Sequence, residues 1–133
     1  MTLTLDSSAA FELIGEPSPR ADRLAEFVSG HDFAVPTLFR YELSNLIRRS
    51  VAHRAVTDEG GVRMFEVVLA MPLREFDFDS VFARAWSLRG SYTFTDAAYI
   101  AVAEITQTPL VTLDERLARG PAVRCQVIVP PRG

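Results

Sequence analysis

The chain has 133 residues, 48% hydrophobic and 23% charged, a balance that predicts one globular domain spanning residues 1–133 and excludes a disordered segment. The net charge of −3 excludes a general polyanion binder, although four acids in one site would leave +1 for the remainder (−3 plus 4). All 14 basic residues are arginines, which excludes lysine-dependent chemistry such as a Walker-type phosphate site or a Schiff base.

No segment has the pattern of a signal peptide or a membrane span, because the apolar runs are far shorter than the ~18 residues that a span needs. The single cysteine, Cys125, cannot form an intrachain disulfide, which fits a reducing compartment. We therefore expect a cytoplasmic protein that does not enter a membrane.

Strand-like and helix-like patterns alternate through the first half of the chain. Residues 1–5 are predicted to form a short buried strand, and residues 7–14 a helix with Ser7 or Ser8 near its cap. A second helix follows at 20–28, with Pro19 suited to its start, and then a short strand at 33–35. An amphipathic helix is predicted from 38 to about 53, since its apolar residues recur at helical spacing.

The second half continues the alternation. Thr57 is predicted to cap a helix that runs to about residue 70, followed by a strand at 73–77. Asp79 is predicted to cap the next helix, and Thr93 or Thr95 the apolar helix at 96–107. Strands at 110–113 and 126–129 flank a helical turn at 115–119. This alternation predicts an α/β fold with three layers, α/β/α, around a central parallel sheet of about four to five strands.

Four acidic residues lie where apolar segments begin, turn or end. Asp6 and Asp114 directly follow predicted strands, Asp96 opens the most apolar helix, and Glu42 lies on the rim of an apolar stripe, about 40° from Leu46. Taken alone, each acid is more simply explained as a helix cap or a solvated side chain than as part of a site. Because ligands of parallel sheets bind beyond the carboxyl ends of the strands, the four together predict one site.

A site built from four carboxylates has a definite chemistry. Partly buried carboxylates are costly unless they are paired, protonated or bound to a cation, and Mg²⁺ or Mn²⁺ prefers carboxylate and water oxygens. A bound ion lowers the pKa of a water to make a nucleophile, and a second ion can stabilise the leaving oxygen of a phosphodiester. The acids therefore predict metal-dependent phosphodiester hydrolysis.

Each of the four acids lies in a short motif. Any one motif alone is weak evidence for a family, whereas four motifs in this order and at these separations are specific. The motifs are Asp6-Ser7-Ser8, the segment 36–46 with Glu42 and Asn45, the segment 93–99 with Asp96, and the segment 110–117 with Thr112 and Asp114. With these motifs the whole chain resembles PIN-domain nucleases, and most closely the VapC toxins of bacterial toxin–antitoxin pairs. The resemblance implies that the four acids are catalytic metal ligands and that three polar residues support them: Ser7, Asn45 and Thr112.

The chain departs from part of that pattern at one position. Some relatives carry a further acid two residues after the last aspartate, where this chain has Arg116. We therefore expect a second metal site to be weaker, or to fill only with substrate bound. Substrate affinity has to come from arginines, and Arg116 and Arg119 are favoured because they follow Asp114, with Arg49 as a further candidate.

The resemblance also implies a function. A protein of this kind is an endoribonuclease that uses Mg²⁺ or Mn²⁺ to cut structured RNA, such as tRNA or rRNA, and so inhibits translation. A VapB-like antitoxin is expected to block the acidic site with a peptide, often one that carries a basic side chain, and a homodimer is expected. Phe65, Phe82 and Trp86 are candidates for surface contacts, although the favoured prediction places each of them in the core.

Two alternatives within the same fold stay open. One is a catalytically inert PIN-fold binding module, which the complete set of acids disfavours. The other is a PIN nuclease for RNA processing without an antitoxin, which the small size disfavours. Other classes are excluded, since a receiver domain needs a lysine, a haloacid-dehalogenase-type phosphatase needs Asp-x-Asp after the first strand, and a serine hydrolase elbow needs Gly-x-Ser-x-Gly.

Overall fold

The computed structural model describes residues 1–131, so the last two residues of the predicted domain, 132 and 133, lie outside the described range. Within residues 1–131 there are five strands: β1 (Thr2–Leu5), β2 (Asp32–Pro36), β3 (Leu73–Phe76), β4 (Leu110–Val111) and β5 (Val127–Ile128). The same range contains seven helices: α1 (Ser7–Ile14), α2 (Pro19–Val28), α3 (Phe39–Ala52), α4 (Asp58–Ala70), α5 (Phe78–Ser87), α6 (Phe94–Thr106) and α7 (Glu115–Arg119).

The five strands form one parallel sheet in the order β3-β2-β1-β4-β5. This confirms the predicted α/β architecture, in which helices cover a central parallel sheet. Strand β1 lies at the centre, and its last residue, Leu5, pairs with Val111 of β4. The amide of Asp6 then donates to the carbonyl of Val111 at 3.1 Å. The register therefore brings the turns after β1 and β4 side by side.

Side chains from the two faces of the sheet enter different apolar clusters. Along β2, Phe33 and Val35 join the larger cluster, whereas Ala34 joins a smaller one with Val81 of α5 and Val102 of α6. Helix α6 is buried along its whole middle, from residue 97 to residue 103, as expected for a helix that is apolar on all sides. Among residues 1–131, no helix is long and apolar enough to cross a bilayer.

Two predicted helix caps were wrong and two were confirmed. Helix α1 is capped by Asp6, not by Ser7 or Ser8, and α5 is capped by Asp77, not by Asp79. Each true cap has an extended backbone and lies one residue before the helix, so its carboxylate reaches an amide of the first turn. Among the threonines, the cap of α4 at Thr57 and that of α6 at Thr93 are as predicted.

The favoured core positions of three aromatic residues were also wrong. Phe65, Phe82 and Trp86 are 38%, 47% and 57% exposed. Helix α5 carries apolar residues on two sides, and the structure buries the side with Val81 and Ala85. A pattern that is apolar on both sides does not indicate which side packs against the sheet, and the smaller side chains fit under α5.

Candidate active site

The four predicted acids all lie where helices begin, beyond the carboxyl ends of the strands. Asp6 caps α1 after β1, Asp114 caps α7 after β4, and Glu42 and Asp96 lie in the first turns of α3 and α6. The amino ends of helices carry partial positive charge, which favours carboxylates there. We refer to these four residues as the acid set.

Asp6 is the most enclosed member of the acid set, with 7% of its surface exposed. Its Oδ1 accepts hydrogen bonds from the Ala9 amide at 3.0 Å and from the Ser8 hydroxyl at 2.7 Å, and its Oδ2 accepts one from the Thr112 hydroxyl. Burial raises the pKa of Asp6, the hydrogen bonds oppose that rise, and the charge of Asp96 adds to it. The ionised form is thus held in place by donors, but it is costly in the absence of a cation.

Thr112 connects two members of the acid set. Its fully buried hydroxyl donates to Asp6 and accepts a hydrogen bond from the Asp114 amide at 3.0 Å. Ser8 ties the same two turns together, because its hydroxyl also accepts from the Leu113 amide at 3.2 Å. Thr112 therefore contacts both turns, and its supporting role stays a prediction. Ser8 was not among the predicted support residues, although its place in the motif Asp6-Ser7-Ser8 pointed to it.

Glu42 is held by a tyrosine that the sequence analysis did not include in the site. The hydroxyl of Tyr99 donates to Glu42 Oε1 at 2.6 Å, and the Ser7 hydroxyl donates to the same oxygen at 3.4 Å. Burial, and then the charge of Glu42, raise the pKa of Tyr99 so far that it stays protonated and remains a donor. Tyr99 lies three residues after Asp96 on α6, a helical spacing that places both on one side and could have identified it.

The charge of Asp96 acts on two other members of the acid set. Burial raises the pKa of Glu42, and the charges of Asp6 and Asp96 raise it further, just as Asp96 raises that of Asp6. Within residues 1–131, no three acidic, histidine or cysteine side chains are already gathered in metal-ligand positions. The donor type, carboxylate oxygen, nevertheless fits Mg²⁺ or Mn²⁺.

Asp114 faces a cation supplied by the chain itself. Arg116 binds the Asp114 carboxylate through its Nε and Nη2 atoms, and its Nη2 lies 3.7 Å from Asp96 Oδ2. The hydrogen bonds from Arg116 lower the pKa of Asp114, which therefore stays ionised at any neutral pH. The Arg116 side chain itself is 72% exposed.

The remaining predicted residues lie at the periphery. Asn45 is exposed on α3 and its Oδ1 accepts from Arg48 Nε at 3.0 Å, so the described structure does not bring its amide into hydrogen bonding with the acid set. Arg49 is exposed near the end of the same helix. Arg119 is exposed on α7 and its Nη1 lies 3.6 Å from Glu115 Oε2.

Comparisons with known proteins assign the chain to a family. The sequence matches the PIN domain family over residues 3–122. Ribonuclease VapC12 of Mycobacterium tuberculosis is 33% identical over 117 residues, which cover 88% of this chain and 90% of the relative. Ribonuclease VapC9 of the same species is 26% identical over 131 residues, which cover 98% of this chain and 99% of the relative.

Solved structures share the fold. VapBC2 from Rickettsia felis, bound to a DNA fragment from the promoter, aligns with a TM-score of 0.72 at 16% identity over 98% of this chain and 100% of that one. VapC20 of Mycobacterium tuberculosis, described as a sarcin–ricin loop cleaving toxin, aligns with a TM-score of 0.68 at 19% identity over 97% and 99%. At these identities the likeness concerns the fold.

Proposed function

Since the chain belongs to the PIN-domain family and, within it, to the VapC ribonucleases of toxin–antitoxin pairs, we propose that it is an endoribonuclease toxin that depends on Mg²⁺ or Mn²⁺. The observation that supports metal dependence is the placement of Asp6, Glu42 and Asp96 at one edge of the sheet, where the charge of Asp96 helps to raise the pKa of both Asp6 and Glu42. A divalent cation stabilises ionised carboxylates that are partly buried and lie near other negative charges.

In this proposal the acid set holds the ion. When bound, the ion supplies Lewis acidity that activates the attacking water and offsets negative charge on the phosphate. The chain's own contribution is to orient the ligands. The hydrogen bonds that residues 1–131 make to the Glu42 carboxylate both fall on Oε1, from Tyr99 and Ser7, so Oε2 remains available to a ligand.

We propose structured RNA, either tRNA or rRNA, as the substrate. The relative from Mycobacterium tuberculosis with the same fold is described as cleaving the sarcin–ricin loop, which makes rRNA a reasonable first substrate to test. Arg49, Arg116 and Arg119 are exposed and can offer guanidinium groups to RNA phosphates. Cellular RNA as substrate also implies action in the cytoplasm.

Incubation of the purified chain with total cellular RNA is expected to give discrete fragments with Mg²⁺ or Mn²⁺ and none with a chelator. Returning the ion in excess is expected to restore cleavage, because chelation removes the ion and leaves the carboxylates chemically unchanged. Fragments would be resolved on a denaturing gel and their ends sequenced. Cleavage that persists in chelator would contradict metal dependence, and absence of both cleavage and metal binding would favour the inert binding module.

We further propose a VapB-like antitoxin and a homodimer. The relative from Rickettsia felis was solved as a VapBC complex, which supports an antitoxin as partner. Phe65, Phe82 and Trp86 are exposed and available for protein contacts. An antitoxin peptide with a basic side chain would find complementary charge at the acid set.

Induced expression of the chain in bacteria is expected to arrest growth, and co-expression of a small gene from upstream of it is expected to relieve the arrest. The physical reason is that a free nuclease destroys RNA needed for translation, whereas a bound peptide covers its acids. Colony counts with and without the upstream gene measure both effects. Normal growth on expression of an active nuclease would instead indicate an RNA-processing enzyme without an antitoxin.

A further inference from the structure

The side chain of Arg116 spans two members of the acid set. Its Nε donates to both oxygens of the Asp114 carboxylate, at 3.0 Å to Oδ1 and 3.1 Å to Oδ2, and its Nη2 also binds Oδ2. The same Nη2 lies 3.7 Å from Asp96 Oδ2. One guanidinium therefore supplies positive charge to carboxylates that belong to two different helices.

Both oxygens of the Asp114 carboxylate accept hydrogen bonds from Arg116. In addition to the side chain, the backbone amide of Arg116 donates to Asp114 Oδ1 at 3.0 Å, because Asp114 caps α7. A carboxylate offers about four acceptor positions, and the backbone and side chain of Arg116 together make four contacts with this one. These contacts come from three N–H groups, because the Nε–H is shared between the two oxygens. A divalent ion that approaches Asp114 therefore has to compete with the guanidinium for the same oxygens.

We propose that Arg116 is an internal counter-ion of the acid set, and that its guanidinium must leave Asp114 and Asp96 before Asp114 can bind a divalent ion. This inference rests on the proposed metal-dependent function and names a residue that opposes metal loading. Two cations that compete for the same oxygens cannot bind together, so Arg116 lowers the affinity of the acid set for the ion. Once released, the exposed guanidinium is free to contact an RNA phosphate.

Arg116→Gln is expected to bind Mn²⁺ about three- to tenfold more tightly than the wild-type chain, since the competing charge is removed. Binding would be measured on the full chain without RNA, by calorimetry or by the electron paramagnetic resonance signal of free Mn²⁺. Arg119→Gln is the matched control, because it removes the same charge from the same helix. Arg119 pairs with Glu115 and acts on Asp114 only through its charge, the smallest of the causes that lower the Asp114 pKa, so this variant is expected to bind Mn²⁺ within about twofold of wild type.

An equal gain in both variants would overturn the inference, because it would trace the effect to net charge alone. Weaker binding by Arg116→Gln would also overturn it, since the arginine would then help to hold the ligands. An Asp96→Asn variant distinguishes a failure of the proposed metal site from a failure of the role proposed for Arg116. Wild-type binding that depends on Asp96 but is unchanged in Arg116→Gln would refute only the role of Arg116. Binding that does not depend on Asp96 would refute the proposed metal site as well.

A second measurement uses the wild-type chain and so does not depend on how a variant folds. The ¹⁵N–¹H signal of the Arg116 Nε group, assigned by its absence from the spectrum of Arg116→Gln, is expected to move towards the position of a free arginine as Mg²⁺ is added. The shift should saturate with the same Mg²⁺ dependence as binding, because release and loading are one exchange. An Arg116 signal that stays in place at saturating Mg²⁺ would overturn the inference.

Discussion

Asp96→Asn is expected to lower metal-dependent RNA cleavage by at least about a hundredfold while the chain stays folded. Asp96 lies in the first turn of α6 with 29% of its side chain exposed, and its charge acts on both Asp6 and Glu42. Asparagine keeps the shape of the side chain but removes the charge that a divalent ion would neutralise. The initial rate of RNA cleavage at fixed Mg²⁺ measures the effect, and thermal unfolding verifies the fold.

Asp79→Asn is the matched control for this prediction. Asp79 also lies in the first turn of a helix, α5, so the substitution makes the same change of charge near a helix amino end. It is exposed and is not part of the acid set, and its cleavage rate should equal that of wild type. A comparable loss of activity in Asp79→Asn, or full activity in Asp96→Asn, would contradict the assignment of Asp96.

Glu42→Gln is expected to abolish metal-dependent cleavage and at the same time to raise the melting temperature, by roughly 2 °C. The Glu42 carboxylate has a raised pKa because it is partly buried and lies near Asp6 and Asp96, so its ionised form destabilises the folded chain at neutral pH. Glutamine keeps an oxygen for the hydrogen bonds from Tyr99 and Ser7 while it removes the charge. Activity and stability are therefore expected to change in opposite directions.

The pH dependence of the difference in melting temperature between Glu42→Gln and wild type tests whether the charge of Glu42 causes it. The folded-state pKa of Glu42 is raised, so the ionised group destabilises the fold, and this effect is complete at any pH above the folded-state pKa. As the pH falls through the raised pKa and below the ordinary one, wild-type Glu42 becomes neutral and the advantage of glutamine should disappear. Melting curves of the two proteins at neutral and acidic pH, without metal, measure this. A difference that is constant with pH, or a less stable Glu42→Gln at neutral pH, would show that the charge is not its cause.

Local patterns in the sequence determined most of the fold. Strand–helix alternation predicted the parallel sheet, and the apolar run after Asp96 predicted the buried helix α6. The same patterns placed Asp6 and Asp114 just beyond the ends of strands, where parallel topology brings chain segments together. These predictions succeeded because each depends on periodicity or on the residue next to a strand end, and both can be read within a few positions of the chain.

Contacts between distant segments were decided only by the tertiary structure. Tyr99 binds Glu42 across 57 positions of sequence, and Arg116 reaches Asp96 on another helix, so no local pattern contains either pair. The side of α5 that is buried was likewise undetermined, because Phe82 and Val81 are both apolar and the partner surface selects between them. The sequence by itself thus determined the elements and the edge where the acids meet. Packing decided which side chains orient those acids and which cation faces them, because these choices depend on distances that form only when the helices dock on the sheet.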